Sequence, residues 1–129
     1  MNGKYLLDTN IVIALFNRDA EVEARLAQAL EVFLSSIVLG ELHFGAAKSG
    51  QPEANALRIE EFASSCTLIE IDPGTAREYG LIKSRLKKKG RPIPENDIWI
   101  AACASLHGLS LATRDRHFGH VETIQIESW

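Results

Sequence analysis

The chain has 129 residues, 46% of them hydrophobic and 24% charged, and a formal net charge of −3 at pH 7. That length suits a single domain over residues 1–129 that buries its own core, and the composition excludes a disordered chain. The mild negative charge makes no general electrostatic case for nucleic acid, and Cys66 and Cys103 have neither metal-ligand spacing nor the density of a disulfide scaffold.

Taken in order, Lys4 to Leu7 is a short apolar run that ends at Asp8-Thr9-Asn10, and Ile11 to Phe16 continues as a buried helical turn or two. The whole apolar segment from Tyr5 to Phe16 is broken by Asp8 and Asn10 and is too short to span a bilayer, so a cytoplasmic protein is expected. Glu21 to Leu30 reads as a helix with Val22, Leu26, Ala29 and Leu30 on its apolar face. Val32 to Leu34 is a second strand, and Ser35-Ser36 can cap a helix over Ile37 to Lys48. Gly50-Gln51-Pro52 is a turn before a helix over Glu53 to Ala63. Thr67 to Ile71 is a third strand, and Asp72-Pro73 signals the start of a helix over Thr75 to Lys89. Ile98 to Leu106 is almost wholly apolar and long enough for a buried helix, which Gly108 ends. Leu109 to Thr113 is then a strand, and Thr123 to Ile126 adds an edge strand. Strands alternating with helices predict a three-layer α/β/α sandwich around a mostly parallel sheet.

Most of the seventeen acidic residues need no function. Glu21, Glu23, Glu53, Glu60, Glu61 and Glu78 fit exposed helix faces, and Asp72 is a helix cap. Four others fit such roles less well. Asp8 and Asp115 each follow a strand directly, at the edge where open parallel sheets place their ligand crevice. Glu41 shares a helix face with Ile37, Val38, Phe44 and Gly45, and an acid on such a face is costly unless it is paired or bound to a cation. Asp97, taken alone, is an acid at a helix N-terminus that complements the dipole, yet its helix neighbours Ile100, Ala101 and Ala104 are apolar. Helices linking parallel strands start at the same sheet edge, so all four acids should point into one crevice. Arg114 and Arg116 flank Asp115 but should point away from it, and an acid cluster without internal cations implies an external one. Carboxylate oxygens suit magnesium or manganese better than zinc. His43, His107, His117 and His120 are scattered, and each is expected to have a surface or packing role.

The strings LLDTN, SSIVLGEL, PENDIWIAA and LATRDRHF resemble, in order and spacing, the motifs of the PIN domain and of VapC-type toxins, from Tyr5 to Phe118. The resemblance implies a PIN-like α/β/α fold and a magnesium- or manganese-dependent endoribonuclease. It carries over Asp8, Glu41, Asp97 and Asp115 as the acidic site, with Thr113 at the Ser/Thr position that supports it. In that reading Asp8 and Asp115 are direct metal ligands, Asp97 is a direct or water-mediated one, and Glu41 positions or deprotonates the attacking water. The family also implies a cognate antitoxin that covers the site with an Arg or Lys among the carboxylates, and a homodimer with an early helix in its interface. Setting the four acids aside moves the net charge from −3 to +1, which leaves metal to bring phosphate into the crevice. The basic tract Lys83, Arg85, Lys87, Lys88, Lys89 and Arg91 has two compatible readings: a cation-rich helix end, and a phosphate-tracking edge in which Lys87, Lys88, Lys89 and Arg91 lead RNA to Asp97. Glu95 reads as an exposed first-turn acid.

Two other enzyme or ligand classes fit poorly. A phosphatase with Asp8 as nucleophile would need a second acid where Asn10 stands, and no glycine-rich dinucleotide turn follows the first strand. The remaining alternative is a non-catalytic binding module whose acidic crevice docks a basic peptide.

Overall fold

The computed structural model describes residues 3–129. Its centre is β1 (Lys4–Leu7), whose last three residues are buried because it has a strand on each side. β2 (Glu31–Ser35) and β4 (Ser110–Ala112) flank it, with β3 (Thr67–Ile69) and β5 (Gln125–Glu127) outside them, giving the order β3-β2-β1-β4-β5. All four pairings are parallel, and Tyr5 is in register with Val32 on one side and Ser110 on the other. The α/β fold with a parallel central sheet is therefore as the alternation of elements predicts.

The chain moves outward from β1 to β2 and β3, then returns to the opposite side of β1 for β4 and β5. The order thus reverses between β1 and β4. Right-handed crossovers put the outward connections on one face and the returning connection on the other. The outward connections are α1 (Thr9–Phe16) with α2 (Ala20–Gln28), and α3 (Ser36–Ala47) with α4 (Pro52–Ser64). The returning connection is α5 (Pro73–Lys89) with α6 (Glu95–His107).

The core runs through Leu6, Leu7, Leu34 and Leu111 of the sheet into Val12, Val38, Ile82 and Phe118. In α6, Ile98 and the whole run Ile100, Ala101, Ala102, Cys103 and Ala104 are buried, so this helix lies inside the protein on most of its faces. The alanines let neighbouring elements approach it closely from several sides. α6 stops at Gly108, which takes φ +63° while Leu109 N–H donates to the Ala104 carbonyl at 3.0 Å. A left-handed cap of this kind favours glycine and turns the chain straight into β4.

Helix starts follow the expected caps. Ser35 Oγ accepts from Val38 N–H at 3.2 Å, and Asp72 Oδ1 accepts from both Thr75 N–H (2.9 Å) and Thr75 Oγ1 (2.8 Å). Those donors hold the Asp72 carboxyl below its usual pKa. Asp72→Ala should cost about 1 kcal/mol, seen as a lower urea midpoint at unchanged slope.

Three local features differ most from the sequence reading. α2 stops at Gln28, so Leu30 falls outside the helix and is 77% exposed instead of lying on its apolar face. β3 ends at Ile69 instead of Ile71, because its partner residue Ser35 is the last of β2 and already caps α3. A 3-10 helix, Arg116–His120, follows β4 and is capped by Asp115, whose Oδ1 accepts from His117 N–H at 3.0 Å.

Candidate active site

The four acids all come to the C-terminal edge of the sheet, around the point between β1 and β4 where strand order reverses. Open parallel sheets bind ligands outside the strand ends at such a switch point. Asp8 follows β1 and caps α1, and its N–H extends the ladder to the Ala112 carbonyl at 2.9 Å. Asp115 follows β4, Asp97 lies in the first turn of α6, and Glu41 is in the second turn of α3.

Hydrogen bonds join these acids into a continuous chain. Asn96 Nδ2 donates to Glu41 Oε2 at 3.3 Å, and Thr9 Oγ1 donates to Glu41 Oε1 at 2.5 Å. Thr9 N–H donates to Asp8 Oδ1 at 2.8 Å, so one threonine orients two of the acids. Thr113 Oγ1 donates to Asp8 Oδ2 at 2.7 Å and accepts from Asp115 N–H at 2.9 Å. His117 Nδ1 then lies 2.9 Å from Asp115 Oδ1 and 3.5 Å from Asp97 Oδ2. Asn96 and Asp97 are neighbours in sequence, so the chain of contacts closes into a ring.

The electrostatics are those of acids gathered without enough positive charge. Burial pushes the Asp97 carboxyl up to about 6, with the nearby charges of Asp8 and Asp115 adding to it and the bond to His117 opposing it. Burial also raises Asp8, which is 5% exposed, while the donors Thr113 and Thr9 pull it back. Among the described residues, no Lys or Arg forms an ion pair with any of the four acids. Arg114 turns away, as expected, to Asp19 Oδ2 (2.9 Å) and the Trp129 carbonyl (2.6 Å).

His117 is a surface residue, as expected, but its imidazole also faces Asp97 and Asp115, a contact that the sequence reading does not include. The sequence signal for it is its position two residues after Asp115, where an aspartate-capped turn brings the ring back over its own cap. Thr9, inside the LDTN string, likewise has a role that its sequence context does not announce. The other predicted residues are more dispersed. Glu95 is held by Lys83 Nζ (2.6 Å) and Tyr79 Oη (2.7 Å), an exposed first-turn acid as expected. Lys87, Lys88 and Arg91 are exposed at the end of α5, and Lys89 is tied to Glu122 Oε1 at 2.7 Å. Beside Glu41, a groove of about 290 Å³ opens between α1, α3 and α4, lined by Ile13, Phe16, Leu42 and Ile59.

Comparison with known proteins places this geometry in context. The PIN domain family matches residues 5–124. The chain is 43% identical over 129 residues to Ribonuclease VapC2 of Haemophilus influenzae, covering 98% of each protein. It is 38% identical over 130 residues to the tRNA(fMet)-specific endonuclease VapC of Shigella flexneri, again covering 98% of both. Among solved structures it resembles VapBC2 from Rickettsia felis bound to a DNA fragment from their promoter, with a TM-score of 0.90, 30% identity and 98% of each chain covered.

Proposed function

Since the chain belongs to the PIN domain family, we propose that it is an endoribonuclease that hydrolyses RNA phosphodiester bonds with the help of a divalent cation, and that it is the toxin of a toxin–antitoxin pair. The observation that carries the reading is the ring of four acids at the sheet's switch point, closed by threonine and histidine contacts and lacking a Lys or Arg counter-ion among the described residues.

The donor set fits a hard divalent cation. Oxygen atoms of Asp97 and Asp115 and the Nδ1 of His117 lie within 4.8 Å of one another, and Asp8 is fixed beside them through Thr113. Asp8, Asp97 and Asp115 would hold magnesium or manganese. When bound, such an ion supplies a water of lowered pKa and neutralises charge on the phosphate. The protein's own part is positioning. Thr113 fixes one oxygen of Asp8 and the backbone of Asp115 together, so the ligands from β1 and β4 keep one spacing. Glu41, held by Thr9 and Asn96, presents a carboxylate at the crevice that can orient the attacking water and take its proton. Lys87, Lys88, Lys89 and Arg91 lie at the end of α5 and in the segment leading to α6, where they can contact phosphates leading to Asp97.

The partners follow from the same reading. A cognate antitoxin with a basic arm would find its counter-charge in the acid crevice and an apolar seat in the groove beside Glu41. A single sheet with one contiguous core among the described residues supports one PIN-like domain over residues 1–129, and its cytoplasmic location and pairing as a homodimer rest on membership of the family alone. No helix among the described residues is long and apolar enough to cross a membrane.

The deciding experiment incubates purified protein with total RNA, with a chelator and then with magnesium or manganese restored. Cleavage should require the added ion. RNA left intact under every condition, together with tight capture of an Arg- and Lys-rich peptide, would favour the binding-module alternative.

A further inference from the structure

We propose that His117 Nδ1 is a direct ligand of the cation held by Asp97 and Asp115, and that this nitrogen gives the site a preference for manganese over magnesium. The inference rests on the metal-site reading above, and it starts from distances. Ligands at about 2.1 Å in octahedral geometry stand roughly 3 Å apart when adjacent and about 4.2 Å apart when opposite. His117 Nδ1 is 2.9 Å from Asp115 Oδ1 and 3.5 Å from Asp97 Oδ2, and one ligand atom from each of the three residues lies within 4.8 Å of the others. They are therefore spaced as a half-built coordination shell.

The backbone fixes that position. His117 N–H is tied to Asp115 Oδ1 at 3.0 Å, and the next residue, Phe118, is fully buried and anchors the 3-10 helix to the core. Without metal Nδ1–H donates to the carboxylates; the side chain is 51% exposed, so when a cation binds the proton can sit on the solvent-facing Nε2 and Nδ1 can offer its lone pair to the ion. A nitrogen donor matters for selectivity. Magnesium prefers an all-oxygen octahedron, whereas imidazole is a better ligand for first-row transition ions. Replacing one oxygen position by Nδ1 therefore lowers the site's relative affinity for magnesium.

The test uses the untagged full-length protein with manganese as probe. Electron spin-echo modulation of bound manganese should show a nitrogen directly coordinated from an imidazole. In His117→Gln that modulation should vanish, manganese affinity should fall about tenfold, and magnesium affinity should fall less than threefold. A thermal melt of the variant confirms that it folds, and the wild-type echo alone decides the ligand assignment if it does not. Manganese that binds the wild type without nitrogen modulation, or a variant that keeps the modulation, overturns the proposal and leaves the acidic metal site standing. Failure of the wild type to bind manganese at all overturns both.

Discussion

Asp97→Asn should abolish RNA cleavage, by about 100-fold or more, and should at the same time make the metal-free protein more stable. The amide keeps the shape of the carboxyl but removes one charge from a place already shared with Asp8 and Asp115. The sign follows from proton binding. The carboxyl titrates near 3.8 in the unfolded chain and is pushed up to about 6 in the fold. The folded state therefore holds this proton more tightly, and the associated stability is fully present below pH 3.8. It is lost as the pH rises through about 6, so metal-free stability should decline across that window. At roughly 1.4 kcal/mol for each tenfold change in proton affinity, the gain from Asp97→Asn at neutral pH is bounded at about 3 kcal/mol. That corresponds to a melting temperature several degrees higher. Magnesium or manganese should then stabilise the unmodified protein by mass action and the variant much less. A melting series at pH 4 to 8, with and without metal, paired with a cleavage assay on the same samples, checks every part of this. An Asp97→Asn protein that cleaves RNA at the original rate, or a melting temperature indifferent to both ions, would sink the metal-site reading.

Thr113→Val should be almost as damaging, although it removes no charge and no ligand. Thr113 is 1% exposed, and its hydroxyl both donates to Asp8 and accepts from the Asp115 backbone. Valine fills the same space and leaves a buried carboxylate oxygen and a part-buried N–H without this partner, which should cost about 2–3 kcal/mol. Because the two strand-end acids lose their common tie, cleavage should fall by roughly 10–100-fold. Thr113→Ser should restore most of both losses. Urea unfolding and cleavage assays on the three proteins separate the outcomes; a valine variant with normal cleavage would show that the tie is dispensable.

The parts of the fold that were legible in the sequence are those governed by local chemistry. Asp72 and Ser35 announce helix starts, Gly108 announces a helix end, and the apolar run Ile98 to Ala104 can hardly be anything but an internal helix. The acids were legible because each stands out from an apolar or strand-end context. What the sequence could not supply was order across the sheet. Nothing in the local pattern of Lys4 to Leu7 or Ser110 to Ala112 says that these strands are neighbours, and that pairing is what sets Asp8 beside Asp115. The unforeseen contact of His117 has the same origin. His117 is unremarkable until Asp115 caps the turn that carries it, and that turn depends on where β4 ends.

The Thr113–Asp8 hydrogen bond spans 105 residues of chain, and it has a consequence for the order in which the molecule forms. A chain grown only as far as α6 already contains Asp8, Glu41 and Asp97, yet one side of β1 still lacks its neighbour. The contacts that complete the site are among the most distant in sequence, and such contacts close late because they carry the largest loop entropy. Competence for cleavage therefore coincides with closure of the sheet. A partly synthesised copy that ends at α6 holds three of the four acids but lacks Thr113, the residue that ties Asp8 to Asp115.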